Sequence, residues 1–393
     1  MYLYTLFFVI AATLVAGPGL AAEKMVIAAK GAGRDLLDHS LPALTLAVAK
    51  GAEYLELQVT MTADGALIVF GDPTFTHRTD IAEVFPERQR DDGDYHVVDF
   101  ALAEVRQLRL RNSPLATAKT DLSLPIATLE ETLALLSHLE NRVNRRVGMV
   151  IEIITPGLHR AAGKDISTAV LECLVHFGYH DPASRIFLQS TDPDELQRIH
   201  EQLMPQYNLD LPLIQRLGGA PPLTEAELSI YRPNDWLLTN SGLRVLASYA
   251  WGLVVPNARL NTEDPNQSLA DYFAEAGRYG LQRLVITSAV ASTEEPLGNR
   301  EVASLAELDT IFGRHQADGV YTNSYLDVHH YLQKQEDDAR RQLDLPPFFS
   351  ELELKRPAPQ DNNEQGRISP FPGRQEENRT TTRQDLAIPP SND

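Results

Sequence analysis

Glu152 stands inside Val150-Ile151-Glu152-Ile153-Ile154, a run whose other four side chains are all β-branched. An ionised carboxylate there is costly unless it is paired or bound to a metal. Its presence points to a polar barrel interior or mouth rather than a plain sheet face. Glu53 and Glu56 flank another strand-like run, and Asp38 lies in the loop after the first one. For any one of these carboxylates taken alone, a structural salt bridge and a place in a functional site are both open readings.

The elements that must position them are legible as an alternation. Met25–Ala29, Glu53–Val59, Leu67–Phe70, Gly148–Ile154, Arg185–Gln189, Leu211–Gln215, Gly252–Val255, Arg283–Thr287 and Gly319–Thr322 read as strands. Amphipathic segments at Pro42–Lys50, Thr128–Leu139, Lys164–Phe177, Pro193–Leu203, Leu269–Tyr279 and Ser304–Phe312 read as helices between them. Strands alternating with helices predict parallel βα units, in a barrel or a doubly wound sheet. One connection is too short for a helix: Thr62-Ala63-Asp64-Gly65 is a turn signal, and a hairpin centred there is expected to set Gln58 opposite Gly71 and Glu56 opposite Pro73. Residues 72–100 form a polar insertion, expected as a surface loop or small lobe near one barrel end.

The ends differ from the body. Leu3 to Ala16 is apolar and is followed by the small residues Gly17-Pro18-Gly19-Leu20-Ala21-Ala22, so residues 1–22 read as an export signal. No Lys or Arg precedes the run, which leaves an uncleaved membrane anchor as the alternative. From 343 to 393 apolar periodicity disappears, and a disordered tail is expected, with a docking segment as the sharper reading. The formal net charge is −19, of which residues after 350 carry only −2, eight acidic against six basic, so the acidity belongs to the folded body. Such a surface repels phosphate backbones and argues against nucleic-acid binding. Cys173 is the sole cysteine, which excludes an internal disulfide and reads as a packed small hydrophobe.

The order of segments resembles the bacterial periplasmic glycerophosphodiester phosphodiesterases from about residue 25 to residue 332. The matching stretches include Met25 to Ala32, Leu37 to Ala43, Gly51 to Glu56, Val59 to Thr62, Phe85 to Arg88, Val147 to Glu152, Gly163 to Ile166, Phe187 to Gln189 and Asp194 to Leu196. The resemblance implies a TIM-type (β/α)8 barrel over residues 23–335, with its site at the mouth and a small insertion after the third strand. It implies hydrolysis of glycerophosphodiesters to glycerol 3-phosphate and an alcohol. Two histidines would move the protons, and carboxylates would hold calcium or magnesium against the phosphate.

Position by position, this chain departs from that pattern where the chemistry lies. The family's His-Arg-Gly-Ala loop reads Ala29-Lys30-Gly31-Ala32, so one histidine is lost and Lys30 takes the substrate-binding place of an arginine without its bidentate fork. The family's His-Asp after the hairpin reads Gly71-Asp72, and the aspartate of the Glu-x-Asp motif is Gln58 after Glu56. The loop glutamate is shortened to Asp38, Glu152 is kept, a lysine two residues later is Ile154, and a late Thr-Asp is Thr322-Asn323. The metal set implied is Asp38, Glu56, Gln58 and Glu152, holding a divalent cation weakly because its charge is reduced. Neither alanine nor glycine transfers a proton, and losing a general acid or base costs about 10²- to 10⁴-fold. His39, His77 and His159 are the candidate substitutes.

The expectation is therefore an exported, periplasmic member of the family with impaired catalysis that binds a small phosphodiester ligand. An active phosphoric diester hydrolase with a modified site is one alternative. An envelope scaffold that binds a protein partner through the tail is the other.

Overall fold

The short strands are almost continuously apolar; successive side chains point inward and outward in turn, and closing the sheet on itself under a layer of helices buries both faces. The computed structural model describes residues 24–32, 35–111, 123–218, 235–262, 268–288 and 304–342. The strands are β1 (Met25–Ala28), β2 (Tyr54–Met61), β3 (Leu67–Val69), β4 (Gly148–Ile153), β5 (Ile186–Ser190), β6 (Leu213–Arg216), β7 (Gly252–Pro256), β8 (Gln282–Ile286) and β9 (Gly319–Thr322). Their order is β1-β9-β8-β7-β6-β5-β4-β2-β3, and β1 also pairs with β2. The eight parallel strands thus close into a TIM-type barrel, while β3 hangs antiparallel on β2. All nine strand expectations are met, and the one beyond the eight of the closed ring is the hairpin strand β3.

Local chemistry sets the helices. Ser40 caps Leu41–Ala49, Asp192 caps Pro193–Arg198, and Thr128 with Glu131 forms a capping box on Leu129–Val143. The helix Asn240–Tyr249 and the terminal helix Tyr325–Gln342, which runs past the expected boundary at 335, were not expected from periodicity. The barrel unit ends at Asp338, and of the separate unit from Ala339 onward only the end of that last helix is described. No described helix is long and apolar enough to cross a membrane. The expected signal at 1–22 and the tail at 343–393 lie outside the described residues.

Three apolar clusters result. A large outer one joins strands to helices, through residues such as Leu57, Ile151, Leu188, Leu133 and Leu174. Cys173 belongs to it, and burial pushes its thiol up to about 12, as a packed small hydrophobe requires. An inner one fills the barrel with Ile27, Ala29, Val150, Phe187, Ile214, Val254, Leu284, Ile286 and Tyr321. The third is the core of the insertion: Phe70, Phe75, Ile81, Val97, Phe100, Val105, Leu108 and Ile126 pack together with Leu37. The insertion is thus a small lobe with its own core, and its packing extends past the expected boundary at 100.

The hairpin register needs correction. Val59 pairs with Val69 and Met61 with Leu67, so Gln58 lies opposite Phe70, whose N–H donates to the Gln58 carbonyl at 2.8 Å. The expected pairing of Gln58 with Gly71 is off by one, and β3 ends before reaching Pro73. The cause is the loop: Thr62 N–H donates to the Ala66 carbonyl at 3.0 Å, leaving three tip residues with Gly65 at φ +87°. A three-residue loop closed by a left-handed residue shifts the register from that of a two-residue turn.

Candidate functional site

Inward positions recur every second residue. Val150 and Ile214 fill the inner apolar cluster, so Glu152 and Arg216 face the same interior one layer nearer the carboxyl ends of the strands. Parallel pairing sets Gln58 beside Glu152, and Glu152 beside Gln189. The polar residues of this layer sit at the end of the barrel where the βα loops gather.

Hydrogen bonds join five of the side chains at this end, with two smaller groups beside them. Arg216 Nη1 donates to Glu152 Oε2 at 3.0 Å and to Glu56 Oε1 at 3.4 Å. Gln58 Nε2 donates to the same Glu152 oxygen at 2.8 Å, while Gln58 Oε1 lies 3.0 Å from His39 Nε2. Tyr321 donates to Gln189 Oε1 at 2.6 Å. In the loop after β1, Asp38 accepts from Arg78 Nη2 at 2.7 Å, with Lys30 Nζ at 3.8 Å. Arg78 comes from the lobe, so the insertion reaches the site through its own guanidinium.

Burial sets the charges. Glu56 is pushed up to about 7 by burial, with Glu152 adding to the rise and Arg216 opposing it; its Oε2 has no hydrogen-bond partner. Burial pulls Arg216 down, but Glu152 and Glu56 more than offset this and hold it above its ordinary value. His39 is lowered to about 4 by burial and then by Lys30, so its ring is neutral near pH 7. Burial, with Glu56 and Glu152 adding to it, holds the Tyr321 phenol well above its ordinary range.

The first loop is tightly built. Lys30 at φ 55° and Gly31 at φ 83° both take left-handed conformations. A Cβ on Gly31 would meet the Ala43 carbonyl carbon and the Leu44 nitrogen at 3.0 Å each, so only glycine lets this loop lie against the start of Leu41–Ala49.

The chain matches the model of the Glycerophosphoryl diester phosphodiesterase family over residues 30–278. It is 33% identical over 280 residues to a glycerophosphodiester phosphodiesterase of Treponema pallidum, covering 67% of this chain and 78% of that protein. It is 32% identical over 256 residues to one of Haemophilus influenzae, covering 61% of this chain and 70% of the relative. A crystal structure from Silicibacter pomeroyi, assigned to the glycerophosphoryl diester phosphodiesterases, superposes with a TM-score of 0.57 at 19% identity; the match covers 80% of this chain and 95% of that one. The fold is that of the phosphodiesterase barrels, and the chain belongs to the glycerophosphoryl diester phosphodiesterase family.

The expected site residues divide under this geometry. Glu56, Gln58, Glu152 and His39 come together in the barrel, and Lys30 and Asp38 join them from the first loop. Glu53 does not; it sits at the opposite end of β2, half-exposed, with Arg185 Nη2 at 3.7 Å, as a structural salt bridge. His77 is exposed, and it is the next residue, Arg78, that reaches Asp38. His159 is buried on the helix Pro156–Ala161, and neither ring nitrogen has a hydrogen-bond partner. Ala29 packs in the inner apolar cluster. At Gly71 an added Cβ would lie 2.1 Å from Gln58 Oε1 and 3.4 Å from His39 Nε2, so those two side chains border the space a residue there would need.

Sequence reading missed Arg216, Arg78, Gln189 and Tyr321. Arg216 carried a signal of the same kind as Glu152, a charge directly after the strand run Leu213-Ile214-Gln215. The divalent cation implied by family resemblance does not fit the residues as arranged. Arg216 lies on both barrel carboxylates, the Gln58 carbonyl oxygen faces His39, and Asp38 is engaged by Arg78. Among the described residues no group of three or more His, Cys, Asp or Glu stands ready to hold a metal ion.

Proposed function

We propose that this chain is a cell-envelope member of its family that binds a small phosphodiester ligand at the barrel mouth and hydrolyses it poorly. The observation that carries the reading is the absence of proton-transferring side chains at two positions, Ala29 and Gly71, where family resemblance expects histidines. Hydrolysis of a glycerophosphodiester needs a base to deprotonate the attacking hydroxyl and an acid to protonate the leaving alcohol. The imidazole nearest the gap, His39, is lowered to about 4 and is a weak base at neutral pH. Lys30, on a loop held by Gly31, offers a point charge to an anionic phosphate. Envelope location is supported by the apolar run at Leu3 to Ala16.

The test is hydrolysis of glycerophosphocholine by the purified protein, coupled to detection of glycerol 3-phosphate, with calcium or magnesium present and absent. The expected rate is at least about 10²-fold below that of a family member holding both histidines. Efficient turnover would overturn the reading.

A second reading is an active enzyme that uses His39, favoured by its Nε2 lying 3.4 Å from where a Cβ at position 71 would stand. Under it, His39→Asn abolishes whatever hydrolysis the parent shows. A scaffold role through residues 343–393 is the remaining reading, tested by truncation at 342 and recovery of a defined envelope partner.

A further inference from the structure

Two carboxylates inside a barrel need a cation. Glu56 and Glu152 have side chains 2% and 3% exposed, and burying an unpaired ion costs several kcal/mol. Here the cation comes from the chain itself. Arg216 projects from β6 across the barrel, past β5, to oxygens on β4 and β2, and a single nitrogen, Nη1, serves both carboxylates. Its side chain is 14% exposed, so the contact is made away from bulk water.

The other oxygens of the implied cation site are turned to protein partners as well. Glu152 Oε2 already accepts from both Arg216 and Gln58. Gln58 presents its amide nitrogen to Glu152 and its carbonyl oxygen to His39. Asp38 faces Arg78 and Lys30. The Glu56 Oε2 atom is buried without a hydrogen-bond partner, but calcium takes about six to eight oxygens. An ion bridging Glu56 and Glu152 at about 2.0–2.6 Å would also have to share its space with a guanidinium of like charge.

We propose that Arg216 is the resident cation of this site: its guanidinium holds the position of a divalent ion between Glu56 and Glu152, so the mouth accepts a phosphate-bearing ligand without a metal. This deepens the proposed function and rests on the mouth being the ligand site, but its test reads metal uptake directly, independently of hydrolysis.

The full chain, stripped with EDTA, is titrated with terbium, read by luminescence, and with calcium, read by calorimetry. The wild type is expected to take up neither below about 1 mM, far weaker than the 10⁻⁷–10⁻⁵ M of calcium-sensor sites. Arg216→Met removes the guanidinium and keeps an unbranched apolar stem that ends short of both carboxylates, and it is expected to bind one calcium at least tenfold more tightly than the parent. Arg216→Lys, which keeps a cation, should gain nothing. Adding Glu152→Gln to Arg216→Met should abolish the gain and so locate it.

Stoichiometric calcium binding by the wild type below about 100 µM would overturn the inference. So would a folded Arg216→Met protein that gains no metal. If Arg216→Met does not fold without metal, Arg216→Gln is melted with and without calcium; a calcium-dependent rise in Tm supports the inference and an unchanged Tm overturns it. Binding of sn-glycerol 3-phosphate is measured alongside, with EDTA and with calcium. Equal affinity in both supports metal-free recognition, and binding only with calcium overturns it. Failure to bind the probe in either buffer would count against the proposed ligand, while the metal titrations would still decide the role of Arg216.

Discussion

Replacing Gly71 by alanine tests how closely Gln58 and His39 pack against a position without a side chain. The backbone at 71 is outside the left-handed region, so alanine meets no conformational penalty there. Its methyl group, however, would lie 2.1 Å from Gln58 Oε1, well inside contact distance. The carboxamide is the flexible end of its side chain and can swing away, so steric strain itself is small. The cost lies in the two contacts that hold the amide, to His39 at 3.0 Å and to Glu152 at 2.8 Å. A neutral hydrogen bond contributes about 0.5–1.5 kcal/mol and one to a charged group about 1.5–3 kcal/mol, which places Gly71→Ala at about 2–4 kcal/mol of lost stability. The assay is a double-mutant cycle by urea unfolding with Gly71→Ala, Gln58→Ala and the pair. Once Gln58 is truncated the alanine methyl has nothing to displace, so the cost of Gly71→Ala should fall below about 1 kcal/mol and the coupling should exceed about 1 kcal/mol. Additive effects, or no loss from Gly71→Ala alone, would refute the reasoning. The same geometry bears on the proposed impairment of hydrolysis: Ala29→His with Gly71→His alone leaves Gln58 in the way, so adding Gln58→Asp should raise hydrolysis further than the histidine pair does.

Two further outcomes concern stability. His159 is lowered from 6.5 to about 4 by burial and then by Lys164, so the folded protein binds fewer protons there than the unfolded chain. Its contribution is complete above about pH 6.5 and is lost as pH falls towards 4, by about 3 kcal/mol at 1.36 kcal/mol per pH unit; His159→Leu should flatten that part of a urea-unfolding pH series, and parallel curves would contradict the assignment. Arg78→Met leaves the Asp38 carboxylate, 2% exposed, with the Lys30 amine at 3.8 Å, and should cost about 3 kcal/mol. Adding Asp38→Asn should recover most of that loss, and failure to recover would show that Arg78 acts through packing instead.

Much of the fold could be read from residue order because its signals are local. Short apolar runs, helical stripes and the Asp64-Gly65 turn each report on a few neighbouring residues, and barrel strands and their helices follow from such reports. The expectation that Ala29 and Gly71 stand where the family pattern has histidines rests on equally local evidence, the loop Ala29-Lys30-Gly31-Ala32 and the pair Gly71-Asp72 after the hairpin. Glu152 also announced itself, because a charge among β-branched residues has few explanations. The hairpin register was within one residue but wrong, since a three-residue and a two-residue loop share nearly the same turn chemistry.

What closure of the barrel decided lies beyond such reading. Arg216 meets Glu152 across 64 positions of chain and Glu56 across 160, and nothing in Leu213-Ile214-Gln215-Arg216 names those partners. Arg78 reaches Asp38 only because the insertion folds on its own core and returns to the mouth. Whether a carboxylate faces a metal, a guanidinium or water depends on where several strands bring their ends. That is set by the global ring of hydrogen bonds and by the side chains filling it. Residue types in sequence therefore indicated that charge would be buried in this protein, and the tertiary structure alone determined which charge would neutralise it.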